Sequence, residues 1–246
     1  MNSGSFYQKL PQNLQLSGSD VESILLREYG GIFVTSATPP DRVIFADDED
    51  VKRFQGRLDV SAAEIGGHTM MLQEAAMDNL LAAIQEANTD GISITPRAAD
   101  SAARSYSDTI ELWATRVDPA LDHWSAQGRI DLDEVERIRS LSPFAQVAEV
   151  FRHEAEGIYF AKDLSKSVIY SVAPPGASQH LSLLAFDVTE FNQRRVREIL
   201  AGHGWYQTVV SDLPHFTYLG RRRDELPAYG LKIVEYNEQE FWVPDI

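Results

Sequence analysis

Between about residues 107 and 164 the apolar residues recur at helical spacing, and beyond Val168 they change to short alternating or continuous runs. A change of period of this kind excludes an all-helical bundle, and strands interleaved unevenly with helices predict an α+β fold rather than a regular βαβ repeat. In the helical stretch Ile110, Trp113, Ala114 and Val117 form one stripe. Ser142 and Pro143 supply a cap and a first-turn proline for a further helix, whose face carries Phe144, Val147, Ala148 and Phe151. Strands are expected near 183–188, 206–210, 216–219 and 231–236. Among them a short helix carries Val196, Ile199 and Leu200 and closes at Gly202-His203-Gly204.

The first half is less regular. Residues 1 to about 20 are polar and read as a loose arm. Short strands are expected at 32–34 and 43–45, flanking the turn-like Thr38-Pro39-Pro40-Asp41. Asp47, Asp48, Glu49 and Asp50 lack the alternating ligand spacing and turn glycine of a calcium loop, so they read as the acidic start of a helix. From Gln73 a helix is expected through Met77, Leu80, Leu81, Ile84 and Ala87, ending near Asp90-Gly91, and 92–95 alternates like a strand. The predicted organisation is an N-terminal extension or small subdomain over 1–65 and a main domain over 66–246 with a helical insertion at about 107–164.

Zero cysteines restrict any metal to His, Asp and Glu ligands and exclude disulfides. A formal net charge of −15 opposes association with nucleic acids. The one dense basic run, Arg221 to Arg223, reads as a solvated loop. No apolar run reaches the roughly 20 residues of a membrane span. The compartment stays open: cell envelope or periplasm if a leader was removed, cytoplasm otherwise. The sequence leaves the oligomeric state open as well.

Of the six histidines, His68, His123, His153 and His203 have no ligand-like company and read as structural. His180 and Asp187 lie seven residues apart around a strand entry, and His215 follows with Asp212 three residues before it. Two imidazoles, a carboxylate ligand and a spare carboxylate are the inventory of a catalytic zinc site.

Ser178-Gln179-His180-x4-Ala185-x-Asp187 resembles the SxHxxGxAxD motif of the D-alanyl-D-alanine carboxypeptidase and dipeptidase metallopeptidases, the VanY/VanX-like family. Asp212-Leu213-Pro214-His215-Phe216-Thr217-Tyr218 is similar to that family's Glu-x-x-His motif, and Ser101 to Tyr106 to its SGYRS segment. Residues 75–95 and Gly204 to Thr208 are also similar to the family's flanking segments, so the resemblance covers roughly residues 70–220. It implies an antiparallel sheet carrying zinc held by His180, Asp187 and His215, with Asp212 as the catalytic carboxylate. It places Arg104 beside the substrate, orienting it and stabilising the oxyanion. Ser178 either bonds a substrate backbone group or is simply a turn residue. The implied substrate is a D-Ala-D-Ala-type bond in peptidoglycan stem peptides or related small peptides. The alternative is a non-catalytic, zinc-containing module that binds peptides or cell wall.

Three positions depart from the family pattern. Leu183 stands for a glycine, which requires that the loop avoid positive φ or pack differently. Pro214 replaces a tryptophan and removes a backbone donor at the hairpin edge. Asp212 replaces glutamate, shortening the reach by about 1.5 Å, and a misplacement of about 1 Å can cost on the order of 100-fold in rate.

Overall fold

The computed structural model describes residues 6–246. Seven α-helices surround three small antiparallel sheets, an α+β architecture as expected. The elements are α1 (Asp20–Tyr29), α2 (Asp48–Gln55), the hairpin β1 (Val60–Ile65) and β2 (His68–Gln73), α3 (Glu74–Thr89), α4 (Tyr106–Ala126), α5 (Leu132–Ser140), α6 (Pro143–Ala155), β3 (Ala185–Asp187), α7 (Arg194–Gly202), β4 (Trp205–Tyr206), β5 (His215–Tyr218), and the hairpin β6 (Leu231–Tyr236) and β7 (Gln239–Pro244).

The helices begin where the sequence places caps. Asp47 accepts from the Asp50 amide to open α2, and Ser142 caps α6 with Pro143 in the first turn. Ser105 and Asp108 form a reciprocal capping box at the start of α4, satisfying two of the orphan amide donors of that helix end. The stretch from about 107 is helical as expected, as far as Ala155: α4, α5 and α6 bury Trp113, Val117, Ile138, Val147 and Phe151. Phe144, expected on the buried face, is 44% exposed, because it sits in the first turn, beyond the packed stripe.

The central sheet has the order β3-β5-β4. β3 pairs with β5 in the register Ala185–Thr217, Phe186–Phe216 and Asp187–His215, so a carboxylate and an imidazole face each other across the ladder. Alternation along β5 sends Phe216 to the face packed by Phe186 and Trp205, and His215 and Thr217 to the opposite face. The first face is the core, where Phe186, Trp205, Leu200 and Val196 are fully buried. Truncating such an aromatic side chain to alanine costs about 3–5 kcal/mol.

Several expectations change. Gly30–Val34 is a 3-10 helix, and 43–45 is irregular, where strands were expected. A short, wholly buried apolar run carries no period, so hydrophobicity alone does not separate the two forms. Residues 92–95 are extended but pair with no strand. The one bridge there joins Pro96 to Val188, and Glu190 binds the Thr95 amide and hydroxyl. Phe6, in the expected loose arm, is fully buried against Gly30 and Gly230; residues 1–5 of that arm lie outside the described residues. The β1–β2 hairpin was missed although Gly66-Gly67, both at positive φ, form its two-residue turn, and His68 opens β2.

Leu183 shows how the chain does without the expected glycine. It adopts φ 56°, ψ 35°, a left-handed conformation, immediately after the short 3-10 helix Gln179–Ser182. That geometry costs a non-glycine residue about 1–2 kcal/mol, whereas burying a leucine side chain contributes about 1.5–3 kcal/mol. Its side chain is 1% exposed, so burial wins. Leu183→Gly is therefore expected to destabilise the protein, by about 1 kcal/mol in denaturant melts, despite relieving the backbone; a stabilised variant would show that strain, not burial, governs this loop.

Candidate metal centre

Three segments meet at the open face of β5. The loop after Gly176 and the short 3-10 helix carry Ser178, Gln179 and His180; β3 ends on Asp187; β5 begins on His215. The loop is seated by close backbone approach: Phe45 N–H donates to the Gly176 carbonyl at 3.0 Å, and a Cβ on Gly176 would lie 2.0 Å from the Phe45 oxygen. A fourth segment, Ser101 to Arg104, closes the group from behind. The Ser101 carbonyl accepts from the Asp187 amide at 2.9 Å, and the Ala102 carbonyl lies 3.3 Å from His180 Nδ1.

His180, Asp187 and His215 are all buried, and one ligand atom from each lies within 4.8 Å of the others. Asp187 Oδ1 is 3.4 Å from His180 Nε2 and 3.1 Å from His215 Nδ1, and Arg104 Nη2 donates to Oδ2 at 3.0 Å. Burial works against the charge on Asp187, but a proton on the imidazole nitrogens that face it holds its carboxyl well below the usual carboxylate range. Burial also lowers His180, which keeps that ring neutral at pH 7.

The tautomers follow from the groups behind the rings. His180 Nδ1 faces a carbonyl, which only accepts, so Nδ1 carries the proton and Nε2 presents a lone pair. His180 Nε2 is buried with no hydrogen-bond partner. Behind His215 stands Gln179, whose Nε2 donates to the Tyr29 carbonyl at 3.0 Å. Its Oε1 therefore turns toward His215 Nε2 (2.9 Å) and accepts from the Thr217 hydroxyl (2.5 Å), which in turn accepts from Thr208. His215 must donate from Nε2, and its Nδ1 lone pair faces Asp187 Oδ1. Two imidazole lone pairs and a carboxylate oxygen thus converge on one buried point, an arrangement that is repulsive until a cation lies between them. The residues fit a divalent metal held by nitrogen and oxygen donors, zinc among them, and no thiolate is needed.

The centre opens into a cavity of about 280 Å³. Ser178, His180, His215, Arg104 and Asp212 all border it, and Asp187 lies against His180, His215 and Arg104 without lining it. Asp212 is exposed on its wall and forms no ion pair among the described residues; its carbonyl accepts from the His215 amide at 3.1 Å, closing a turn that leads into β5. Pro214 sits in that turn, before the ladder begins, and its carbonyl still accepts from Val188, so its missing donor disturbs no strand pair. Ser178 precedes the 3-10 helix without capping it. Leu112 and Arg116 of α4 and Ile169 to Ala173 also line the wall and were not singled out from the sequence as site residues. The histidines set aside lie elsewhere: His203 pairs with Glu86 and His153 with Glu134. A larger groove of about 650 Å³ lies on the Phe216 side of the sheet, between α7 and the β6–β7 hairpin, and holds none of these groups.

No family model and no curated protein matches the sequence. Two solved structures are similar at low identity. One is a mutant of the vancomycin resistance D,D-pentapeptidase VanY from a VanB-type cassette, in complex with Zn(II): 17% identity over 67% of this chain and 82% of that chain, TM-score 0.35. The other is the LdcB LD-carboxypeptidase, a peptidoglycan-recognising protein: 11% identity over 81% of this chain and 83% of that chain, TM-score 0.41. Similarity at this level does not by itself assign a family, so any function has to be carried by the residues' own geometry.

Two outcomes follow from the site. Replacing Gln179 by leucine removes the acceptor that fixes His215, and zinc affinity, read by competition with a chromophoric chelator, should fall about 10- to 100-fold; unchanged affinity would detach Gln179 from the ligand set. In the metal-free protein His180 is depressed below its ordinary value, so unfolding takes up a proton and stability falls as pH drops below about 6.5. His180→Gln should flatten that part of the pH profile of the urea midpoint between pH 7 and 5. The Asp187 contribution is lost only at still lower pH, below about 4.

Proposed function

We propose that this protein is a zinc-dependent peptidase acting on short peptides, with a D-Ala-D-Ala-type bond of peptidoglycan stem peptides as the substrate class. The observation that carries the metal is the convergence of the His180 and His215 lone pairs on Asp187 within a buried pocket that opens to a cavity. His180 Nε2, Asp187 and His215 Nδ1 would hold the zinc, which would supply a Lewis acid able to polarise a scissile carbonyl and lower the pKa of water toward about 7.

The remaining work falls to this chain's own residues. Asp212 stands on the cavity wall with its carboxylate uncommitted, suited to take a proton from the attacking water and deliver it to the leaving amine. Arg104 fixes Asp187 through Nη2 and Asp100 through Nε, and as a residue bordering the cavity it has further N–H groups for charge developing on the carbonyl oxygen. Ser178 borders the same space and is available to a substrate backbone group. α4 walls the cavity through Leu112, which supports a preference for short substrates.

Three measurements test this. At a free zinc concentration about 1,000 times its dissociation constant, zinc should stabilise the fold by about 4 kcal/mol, and a chelator should reverse the gain. Asp212→Asn should lower kcat by about 10²- to 10⁴-fold with zinc occupancy unchanged. A fully zinc-loaded protein that turns over no member of a peptide panel would leave a binding module in place of an enzyme.

A further inference from the structure

One cation at the cavity is left without a partner. Arg116, on α4, donates from Nε to the Ser171 hydroxyl at 2.8 Å and from Nη1 to Thr115 Oγ1 at 2.7 Å. Neither is a carboxylate, and Arg116 forms no ion pair among the described residues. The rest of its planar fork is uncommitted. Other arginines in this acidic chain are engaged: Arg104 with Asp100 and Asp187, Arg137 and Arg152 with Glu134 and Glu149. A guanidinium that stays unpaired in a protein of net charge −15, half-buried on the wall that also carries His180 and His215, is placed for an external anion.

Its surroundings narrow the chemistry. Ser171 holds the fork at its Nε edge, so the Nη edge faces away from that anchor. Leu112 and Ile169 provide apolar surface beside it, and Asp212, also unpaired, borders the same cavity. A carboxylate is repelled from Asp212 and attracted to Arg116, whereas the Arg104 fork already holds two carboxylates of the protein. A guanidinium matches a planar carboxylate through two parallel hydrogen bonds.

We propose that Arg116, held by Ser171, forms a carboxylate-binding subsite that anchors an anionic group of the substrate and so sets which peptides are accepted. The subsite rests on the peptidase reading above. The carboxylate is either the peptide's free C-terminus, which would make the enzyme a carboxypeptidase, or an acidic side chain near the cleaved bond.

The test uses two peptide pairs ending in D-Ala-D-Ala. One pair differs only in a C-terminal acid or amide, the other only in an acidic or amidated side chain. Cleavage is followed in the zinc-loaded protein, and equilibrium binding in zinc-loaded Asp212→Asn. Arg116→Met should weaken binding and raise KM about 10- to 100-fold for the acid member of one pair, leaving its amide member unchanged; the pair that responds identifies which carboxylate is held. Arg116→Lys should retain part of the preference, and Ser171→Ala should lose part of it at unchanged thermal stability. Equal losses on both members of both pairs, or no loss on any, would overturn the subsite while leaving the peptidase intact. A wild-type protein that neither binds nor cuts any of the four peptides would overturn both, and that outcome is visible before Arg116 is altered.

Discussion

Everything at the centre of this molecule turns on one buried carboxylate. Asp187 donates its amide hydrogen to the Ser101 carbonyl, stands opposite His215 in the β3–β5 ladder, and turns one oxygen toward two imidazoles and the other toward Arg104. Breaking a buried charge out of such a set costs about 3–5 kcal/mol, because what remains is an uncompensated charge. The sheet register, the entry to α4 and the loop after Gly176 therefore share one electrostatic requirement.

The imidazoles are committed before any metal arrives. A carbonyl behind His180 and a carboxamide behind His215 decide which nitrogen is protonated, and the carboxamide is itself oriented by the Tyr29 carbonyl and a Thr208–Thr217 hydroxyl pair. Tyr29 ends α1, so the N-terminal part of the chain reaches the site through Gln179. Its hydroxyl donates to the Ile169 carbonyl on the cavity wall, and burial, reinforced by Glu28 and Asp212, pushes that phenol well above its ordinary value. The same tyrosine thus orients His215, through Gln179, at one end and ties down the wall at the other.

The α+β class was legible in the sequence, and so was the grouping of His180, Asp187 and His215; the details of several elements were not. His180, His215, Asp212 and Arg104 border one cavity, and Asp187 groups with the two histidines, because short-range spacing and motif order survive in a linear string. Gln179 was passed over inside the very motif that contains it, since an amide acquires meaning only when its two ends find different partners in space. Arg116 and Leu112 were invisible for a related reason: they lie on α4 as polar and apolar surface positions, and only packing beside 169–173 makes them part of the cavity wall. Helices with caps and stripes were read well, whereas the short buried run at 30–34 and the Gly66-Gly67 hairpin were not. Leu183 is instructive in another way, because the expected rule about positive φ yields to burial of its side chain.

The most direct measurement is X-ray absorption on the protein loaded with one equivalent of zinc. The account predicts a single tightly held zinc with two imidazole nitrogens and a carboxylate oxygen at about 2.0–2.2 Å, with one imidazole lost in His215→Ala. A protein that takes up no zinc, or whose zinc environment is the same in His180→Ala and His215→Ala as in the unaltered chain, would contradict it.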